Sequence, residues 1–268
     1  MQHRIRWSDL LHVPPSCVRV HTAHEIQVRL RRGALRRCGR RAQCRLRGAW
    51  RREIEAEVEP DAIAELDAID ACLHALRDEL NHRYLNQEVV GLRDRPVTTE
   101  SLAGYIYERV KAAVSLHRIR LHEREDFFAE AWGDKIIFLG TWMPFNAAHR
   151  LHATALSDAE NAKLYGKCNN PLGHGHRYLT ETTVGGEYDK RSGTLYDFVA
   201  FRKAIEESLK PWQNRHLDLE TNDFRDVPST GENIVRALWP KIDNRVNQQL
   251  VRLRLWETAN NRFTLRRT

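Results

Sequence analysis

The sequence predicts an α+β fold with an antiparallel sheet, built as two tandem units that each carry two helices on one face of the sheet. Two observations support this prediction. In the second half of the chain, two long strand-like stretches precede two helical stretches and a further strand, which is the order of an α+β protein. In addition, matched residues of the two halves are separated by a nearly constant offset, which indicates an internal duplication.

The repeat is visible in identical residues that recur 132 positions apart. Glu123 and Glu257 differ by 134, which requires only a two-residue change in the connection between helix and strand. Different residue types are unlikely to recur at one constant offset by chance, so we predict two copies of one unit. The pairs at the common offset are Pro96 and Pro228, Thr98 and Thr230, and Glu100 and Glu232.

The first segment, residues 1–52, is an arginine-rich head that is predicted to be poorly ordered or atypical. Its first 50 residues contain 12 arginines, no lysine and two acidic residues, a net charge of +10, whereas the other 218 residues carry 31 basic and 34 acidic groups, a net charge of −3. The basic character of the chain therefore belongs to this segment alone. Three interpretations stay open: a basic arm that binds nucleic acid, a disordered tail, or translation from a shifted reading frame. The last two are favoured, so nucleic acid is an unlikely partner.

Residues 53–132 are predicted to be a partial first copy without a metal site. The stretch 61–80 has apolar residues at three- and four-residue steps, which predicts an amphipathic helix. Thr98 followed by Glu100 marks the start of a second helix. Residues 116–125 alternate as a strand. His24 faintly matches His149, but no His-x-His follows it.

Residues 133–268 are predicted to be a complete copy. Residues 135–148 and 176–188 are long predicted strands, and 197–210 is a predicted helix. The stretch LSDAENAKLYG between the strands is a polar insertion with a helical turn.

Three histidines and one cysteine cluster in the complete copy. His174 and His176 are two residues apart, so their side chains share one face of a strand. His149 ends the neighbouring apolar run. Three neutral imidazoles with one open position are typical of a catalytic zinc site. A thiol beside a bound cation loses its proton more readily, which makes Cys168 a candidate base or nucleophile.

The strings FNAAHRLH, YGKCNNPLGHGHRY, PSTGEN and WETANN occur in the order of one family, over residues 136–268. They resemble 6-pyruvoyl-tetrahydropterin synthase and 6-carboxytetrahydropterin synthase. The resemblance implies the tunnelling fold, in which units assemble into ring barrels, so a homo-oligomer is expected. It also implies a zinc-dependent lyase that acts on 7,8-dihydroneopterin triphosphate, with His149, His174 and His176 as metal ligands and Cys168 as the base.

The resemblance also assigns substrate-binding positions. Glu257 corresponds to a family glutamate that binds the amino-pyrimidine edge of the pterin. Thr230 and Glu232 match pterin-pocket positions near the second helix. Helix capping is the alternative role for both residues, and at Glu232 the two interpretations weigh equally.

The chain departs from the family at its Asp-His proton relay. Gln213 and Asn214 stand at those positions, while the equivalent position of the first copy keeps His82. The resulting hypothesis is that the first copy supplies His82 to the site of the second copy. His216 is a lower-ranked alternative, because it requires a two-residue shift from the common offset.

The product is left open between the 6-pyruvoyl compound and the 6-carboxy compound, which leads to deazapurines such as queuosine. The alternative function is a non-catalytic pterin-binding or assembly subunit. Five cysteines without paired spacing favour a reducing compartment, so the cytoplasm is expected. No apolar run is long enough to span a membrane.

Overall fold

A computed structural model describes residues 17–23, 26–31, 51–58, 66–113, 116–133, 136–186 and 188–267. Most of the arginine-rich head lies outside these described residues. The predictions about its disorder, its reading frame and its nucleic-acid binding therefore stay predictions. Of the helices in the described ranges, none combines the length and the apolar character needed to cross a membrane.

The chain forms two compact units. Unit 1 comprises residues 1–140 and 185–196, and unit 2 comprises residues 141–184 and 197–268. Each unit contains strands of an antiparallel sheet and helices that pack on them.

In unit 1 the strand order is β5-β4-β3-β1-β2, and all neighbouring strands are antiparallel. Helix α3 packs against β4 and β5, and α1 contacts α3. These elements are β1 (Cys17–Ala23), β2 (Ile26–Arg31), β3 (Arg51–Val58), α1 (Leu66–Leu80), α2 (Leu85–Glu88), α3 (Thr99–Lys111), β4 (Leu116–Arg124) and β5 (Phe127–Trp132).

Strands β1 and β2 fall within the arginine-rich head, where the sequence interpretation placed no strand. The two strands pair with each other, and β1 also pairs with β3. The signal was present in the alternating sequence of β2, IQVRLR, but the surrounding arginines obscured it. A strand can carry arginine at every second position because alternate side chains point to opposite faces.

Helix α3 starts where the sequence predicts. Thr98 is its N-cap: the Thr98 hydroxyl accepts the backbone N–H of Ser101, and the Ser101 side chain bonds back to the N–H of Thr98. This reciprocal capping satisfies two of the free donors at the helix start. Leu102, Ile106 and Val110 are buried at four-residue intervals, which explains why this face packs on the sheet.

In unit 2 the strand order is β10-β9-β7-β6, with β9 antiparallel to both neighbours and β8 parallel to β6. Helix α7 packs on β9 and β10 and contacts α5. The elements are β6 (Ile136–His149), α4 (Asp158–Tyr165), β7 (His174–Gly186), α5 (Phe198–Leu209), β8 (Arg215–His216), α6 (Leu217–Glu220), α7 (Gly231–Asp243), β9 (Leu250–Trp256) and β10 (Arg262–Arg266).

The backbone repeats at the offset found in the sequence. Helices α2 and α6 begin and end 132 residues apart, and so do α3 and α7. The left-handed backbone at His82 (φ 56°) recurs at Asn214 (φ 58°). The N–H of Tyr84 donates to the Glu88 carboxylate, as the N–H of His216 does to Glu220. Local conformation and hydrogen bonding therefore support the predicted duplication.

A buried aromatic group lies beneath the ends of β6 and β7. The Phe145 ring stacks on Tyr178 at 4.9 Å between centroids and contacts Trp212 at 6.1 Å. All three side chains are buried, and the Trp212 Nε1–H donates to Asp223 at 2.8 Å. This packing fixes the strand ends that carry the candidate site.

Candidate active site

Three histidines converge at the ends of β6 and β7. His149 is the last residue of β6, and His174 is the first residue of β7. His176 follows two residues later, on the same face of the strand. One ligand nitrogen from each imidazole lies within 4.8 Å of the other two. Within the described part of the chain, this is the only cluster of at least three metal-ligating side chains.

His149 is oriented by a backbone carbonyl. Its Nδ1 lies 3.0 Å from the carbonyl oxygen of Ser229, which can only accept, so Nδ1 carries the proton. The lone pair of Nε2 then faces the other two rings, and this nitrogen lies 3.1 Å from Nε2 of His174. Burial lowers the pKa of His149, which favours the neutral form that metal binding requires.

The imidazole of His176 also suits a metal ion. The buried Nε2 of His176 has no hydrogen-bond partner among the described residues. Burial lowers the pKa of His176, so its ring is held neutral as well. Neutral imidazole nitrogens in a group of three are the donors that zinc sites use. The residues present therefore fit a divalent metal ion.

Glu257 follows strand β9 and reaches the same point. Its Oε1 lies 3.3 Å from Nε2 of His149 and 3.6 Å from Nε2 of His176. Asn261 donates to its other oxygen, Oε2, at 3.4 Å. The carboxylate thus adds a negative charge beside the three imidazoles, where a cation would be attracted. Its predicted role in pterin binding stays a prediction.

The CNNPLGHGH segment forms a tight turn that leads into β7. The N–H of Gly173 donates to the carbonyl of Asn170 at 2.8 Å, and the Asn170 side chain accepts the N–H of Leu172. Gly173 has a positive φ of 66°. A Cβ atom there would lie 2.6 Å from Nε2 of His216 and 2.8 Å from the His149 carbonyl oxygen. Only glycine fits this position, which brings His174 beside His149.

Cys168 lies just before this turn, in a 3₁₀ turn over Gly166–Asn169, and it is a half-buried free thiol. Its carbonyl accepts the N–H of Leu151, which ties it to the segment after His149. Leu151 lies two residues after His149, so this backbone bond places the segment of Cys168 beside the end of β6.

The remaining predicted residues have mixed placements. Thr230 is the N-cap of α7, and its hydroxyl accepts the backbone N–H of Asn233, so the capping interpretation is observed. Glu232 is exposed in the first turn of α7, where the helix dipole favours an acid. His82 is an exposed residue of unit 1. The pterin-binding and relay roles of these three residues stay predictions.

The sequence interpretation missed the residues that hold the site together. Ser229 acts through its backbone carbonyl, which sequence identity does not reveal. Asp218 accepts hydrogen bonds from Ser229 and Arg150. Asn169 accepts from Nε of Arg150 and lies 3.0 Å from Nδ1 of His152. Arg150, Asn169 and Ser229 stand inside the motifs of the family resemblance, whereas Asp218 lies outside them.

The chain contains two copies of one α+β unit, and the second copy carries a three-histidine centre. This arrangement is that of a tandem-duplicated enzyme. The family model of 6-pyruvoyl tetrahydropterin synthase matches residues 49–134 and 141–268. The chain belongs to this family, and it is accordingly a lyase of the pterin-synthase type. The two matches confirm the predicted tandem tunnelling-fold units.

The chain is similar to individual proteins over about half of its length. The chain is 40% identical over 119 residues to human 6-pyruvoyl tetrahydrobiopterin synthase, which covers 44% of this chain and 82% of that protein. It is 37% identical over 134 residues to the Drosophila melanogaster protein of the same name, covering 49% and 80%. The solved structure of Caenorhabditis elegans 6-pyruvoyl tetrahydropterin synthase has 36% identity and a TM-score of 0.48, covering 50% of this chain and 96% of that one.

Proposed function

We propose that the chain is a zinc-dependent lyase that eliminates triphosphate from 7,8-dihydroneopterin triphosphate to give 6-pyruvoyl-tetrahydropterin. The observation that supports it most is the convergence of ring nitrogens from three imidazoles within 4.8 Å, beside the Glu257 carboxylate. The names of the relatives favour the 6-pyruvoyl product over the 6-carboxy product, which leads to queuosine.

His149, His174 and His176 would hold the ion through their ring nitrogens. Bound zinc would supply Lewis-acid polarisation of the hydroxyl or carbonyl on the substrate side chain, which makes the adjacent C–H bond more acidic. Cys168 accepts that proton, the released electron pair forms a carbon–carbon double bond, and the bond from carbon to the triphosphate oxygen breaks.

The enol left by this elimination takes up a proton at its terminal carbon and becomes a methyl ketone. Transfer of the C–H and O–H protons of the remaining carbinol to the carbon–nitrogen double bond of the pterin ring then oxidises that carbinol to a carbonyl and reduces the ring to the tetrahydropterin. No redox cofactor is needed, because this oxidation and this reduction take place within one substrate.

Substrate recognition is proposed for Glu257, Thr230 and Glu232. The hydroxyl oxygen of Thr230 already accepts a backbone N–H as the helix cap, so its own O–H is the group left to donate to a ligand. Glu232 is exposed and its carboxylate can accept two N–H groups from an amino-pyrimidine edge. Glu257 combines two roles, because it is proposed to bind the pterin and its carboxylate also contacts the imidazole nitrogens.

The direct test is a single incubation of the full chain with zinc and 7,8-dihydroneopterin triphosphate. We expect release of inorganic triphosphate and one pterin product with the mass of the 6-pyruvoyl compound. The 6-carboxy mass would correct the product and keep the lyase. Binding of the substrate without any product would instead support the alternative function, a non-catalytic pterin-binding or assembly subunit.

A specific observation favours that alternative. Gln213 and Asn214 occupy the positions of the family's proton relay, and both are engaged with β6: the Gln213 side chain accepts the N–H of Asn146, and the N–H of Asn214 donates to its carbonyl. Neither side chain replaces an acid or an imidazole in proton transfer. Turnover therefore requires another relay group.

We propose that His82 of unit 1 supplies this relay. Its backbone conformation matches that of Asn214, so it holds the equivalent position in the first copy. We expect His82→Ala to lower kcat by roughly 10²-fold or more, the usual range for loss of an acid–base group. Steady-state kinetics with saturating zinc would measure the change.

His216 of unit 2 is the competing candidate and provides the comparison. Both of its ring nitrogens are buried and lack hydrogen-bond partners among the described residues, and its Nδ1 lies 3.8 Å from Asp218. His216→Ala is expected to reduce kcat less than His82→Ala. If His216→Ala abolishes turnover while His82→Ala leaves it intact, the assignment of the relay to the first copy is wrong.

A further inference from the structure

Asp218 binds the backbone on two sides of the histidine centre. It is the second residue of α6, and its Oδ2 accepts the N–H of Arg150 at 2.8 Å and the O–H of Ser229 at 2.9 Å. Its Oδ1 accepts the N–H of Ser229 at 3.2 Å. One carboxylate thus joins the segment after β6 to the segment before α7.

Both of these segments fix His149. Arg150 directly follows it in the chain, and Ser229 provides the carbonyl that accepts its Nδ1 proton. His149 and Ser229 are fully buried, so the peptide groups around them cannot be held by solvent instead. Without the carboxylate, the N–H of Ser229 and the N–H of Arg150 would both lose their acceptor. The orientation of the His149 ring would then be less well defined.

The same carboxylate also supports the loop that carries the thiol. Nε of Arg150 donates to the carbonyl oxygen of Asn169 at 3.3 Å and to its side-chain oxygen at 3.2 Å. The next residue, Leu151, donates its N–H to the carbonyl of Cys168 at 2.9 Å. Asp218 therefore binds the backbone of Arg150, and the side chain of Arg150 in turn binds Asn169, next to Cys168.

We infer that Asp218 is a positioning residue that sets the orientation of His149, and thereby the affinity of the centre for zinc. This inference rests on the proposed metal site. Partners that orient metal ligands typically contribute 10–100-fold to metal affinity. Asp218 itself does not belong to the group of ligand atoms that converge at the centre.

The test uses Asp218→Asn, which keeps the size of the side chain but removes the charge and one of the two acceptor oxygens. We expect the Kd for zinc, measured by competition with a chromophoric chelator, to rise about 10–100-fold. In the cobalt-substituted protein, the d–d absorption should shift, because one imidazole approaches the ion at a different angle. A purely structural residue would leave the metal affinity of the folded protein and this spectrum unchanged.

Asp243→Asn is the matched control. Asp243 is also a carboxylate of unit 2 with a network of its own, since it accepts the backbone N–H of Leu250 at 3.1 Å and pairs with Arg267 at 2.5 Å. We expect this variant to lose stability but to retain the zinc affinity of the unmodified protein. Ser229→Ala is the second variant should Asp218→Asn fail to fold: it removes the O–H bond to Asp218 and keeps the carbonyl that His149 uses. Its zinc Kd should rise in the same direction, by a smaller factor.

The outcomes separate the inference from the proposed function. If the unmodified chain does not bind zinc, the proposed metal site and this inference both fail. If it binds zinc and the folded Asp218→Asn variant binds it equally tightly with an unchanged cobalt spectrum, the inference alone is overturned. The same holds for Ser229→Ala if that variant has to carry the test and its zinc Kd is unchanged.

Discussion

Replacing Cys168 by serine is expected to lower kcat by roughly 10²–10⁴-fold, the range associated with loss of a general base. Serine preserves the shape of the side chain, but its hydroxyl does not ionise near neutral pH, so it accepts the substrate proton poorly. The geometry around the residue should persist, because the loop is held by the backbone carbonyl of Cys168 and by Asn169 rather than by the sulfur. Turnover of dihydroneopterin triphosphate at saturating zinc measures the loss.

Cys72→Ser is the matched control for this experiment. Among the described residues, Cys72 and Cys168 are both free and half-buried, but Cys72 lies in α1 of unit 1 and contacts the carbonyl of Arg109. We expect Cys72→Ser to turn over like the unmodified chain. Cys168→Ser should also bind zinc normally, because the sulfur is not among the converging ligand atoms. Retention of more than about a tenth of kcat would contradict a base role for Cys168.

The sequence predicted those elements whose local chemistry and tertiary role agree. The start of helix α3 was located because Thr98 followed by Glu100 is typical of a helix N-terminus. The residues that the offset of 132 pairs with this start lie at the start of α7. His174 and His176 were predicted to share a face because side chains alternate in a strand, and the structure places both rings beside His149.

Other features could not be predicted because they depend on backbone groups and long-range contacts. The backbone carbonyl of Ser229 orients His149, which lies 80 residues away in the sequence. The residue type at position 229 does not indicate this contact, because every residue has a backbone carbonyl. Asp218 stands in a short helix where an exposed capping role would have been a reasonable interpretation. Glu257 was assigned to the pterin by resemblance, whereas its distance to the imidazoles follows only from how β9 lies beside β7.

The two copies share backbone features and differ in side chains at equivalent positions. Both copies keep the same helices and the same left-handed residue before the short helix, because these features stabilise the fold of each unit. The chemistry differs at equivalent positions: the first copy has His82, where the second has Asn214. The proposal that His82 serves the site of the second copy rests on this difference.

Removing one histidine of the centre should affect zinc binding more than any other single change. Protein zinc sites have apparent binding free energies of about 10–16 kcal/mol, so one ligand of three or four contributes roughly 3–4 kcal/mol. We therefore expect His174→Gln or His176→Gln to raise the Kd for zinc by about 10²–10³-fold and to abolish turnover. Competition with a chelator gives the Kd.

Thermal unfolding provides a second measurement that does not depend on substrate. At free zinc about 100-fold above Kd, binding stabilises the native state by about 2.7 kcal/mol, which corresponds to a rise in Tm of roughly 5–10 °C for a chain of this size. This rise should be seen in the unmodified chain and should shrink to less than about 2 °C in His174→Gln at the same zinc concentration. His74→Gln, an exposed histidine of α1, is the control and should keep the full shift. An equal zinc-induced shift in His174→Gln would mean that the ion binds elsewhere, and the three-histidine centre would have to be abandoned as the metal site.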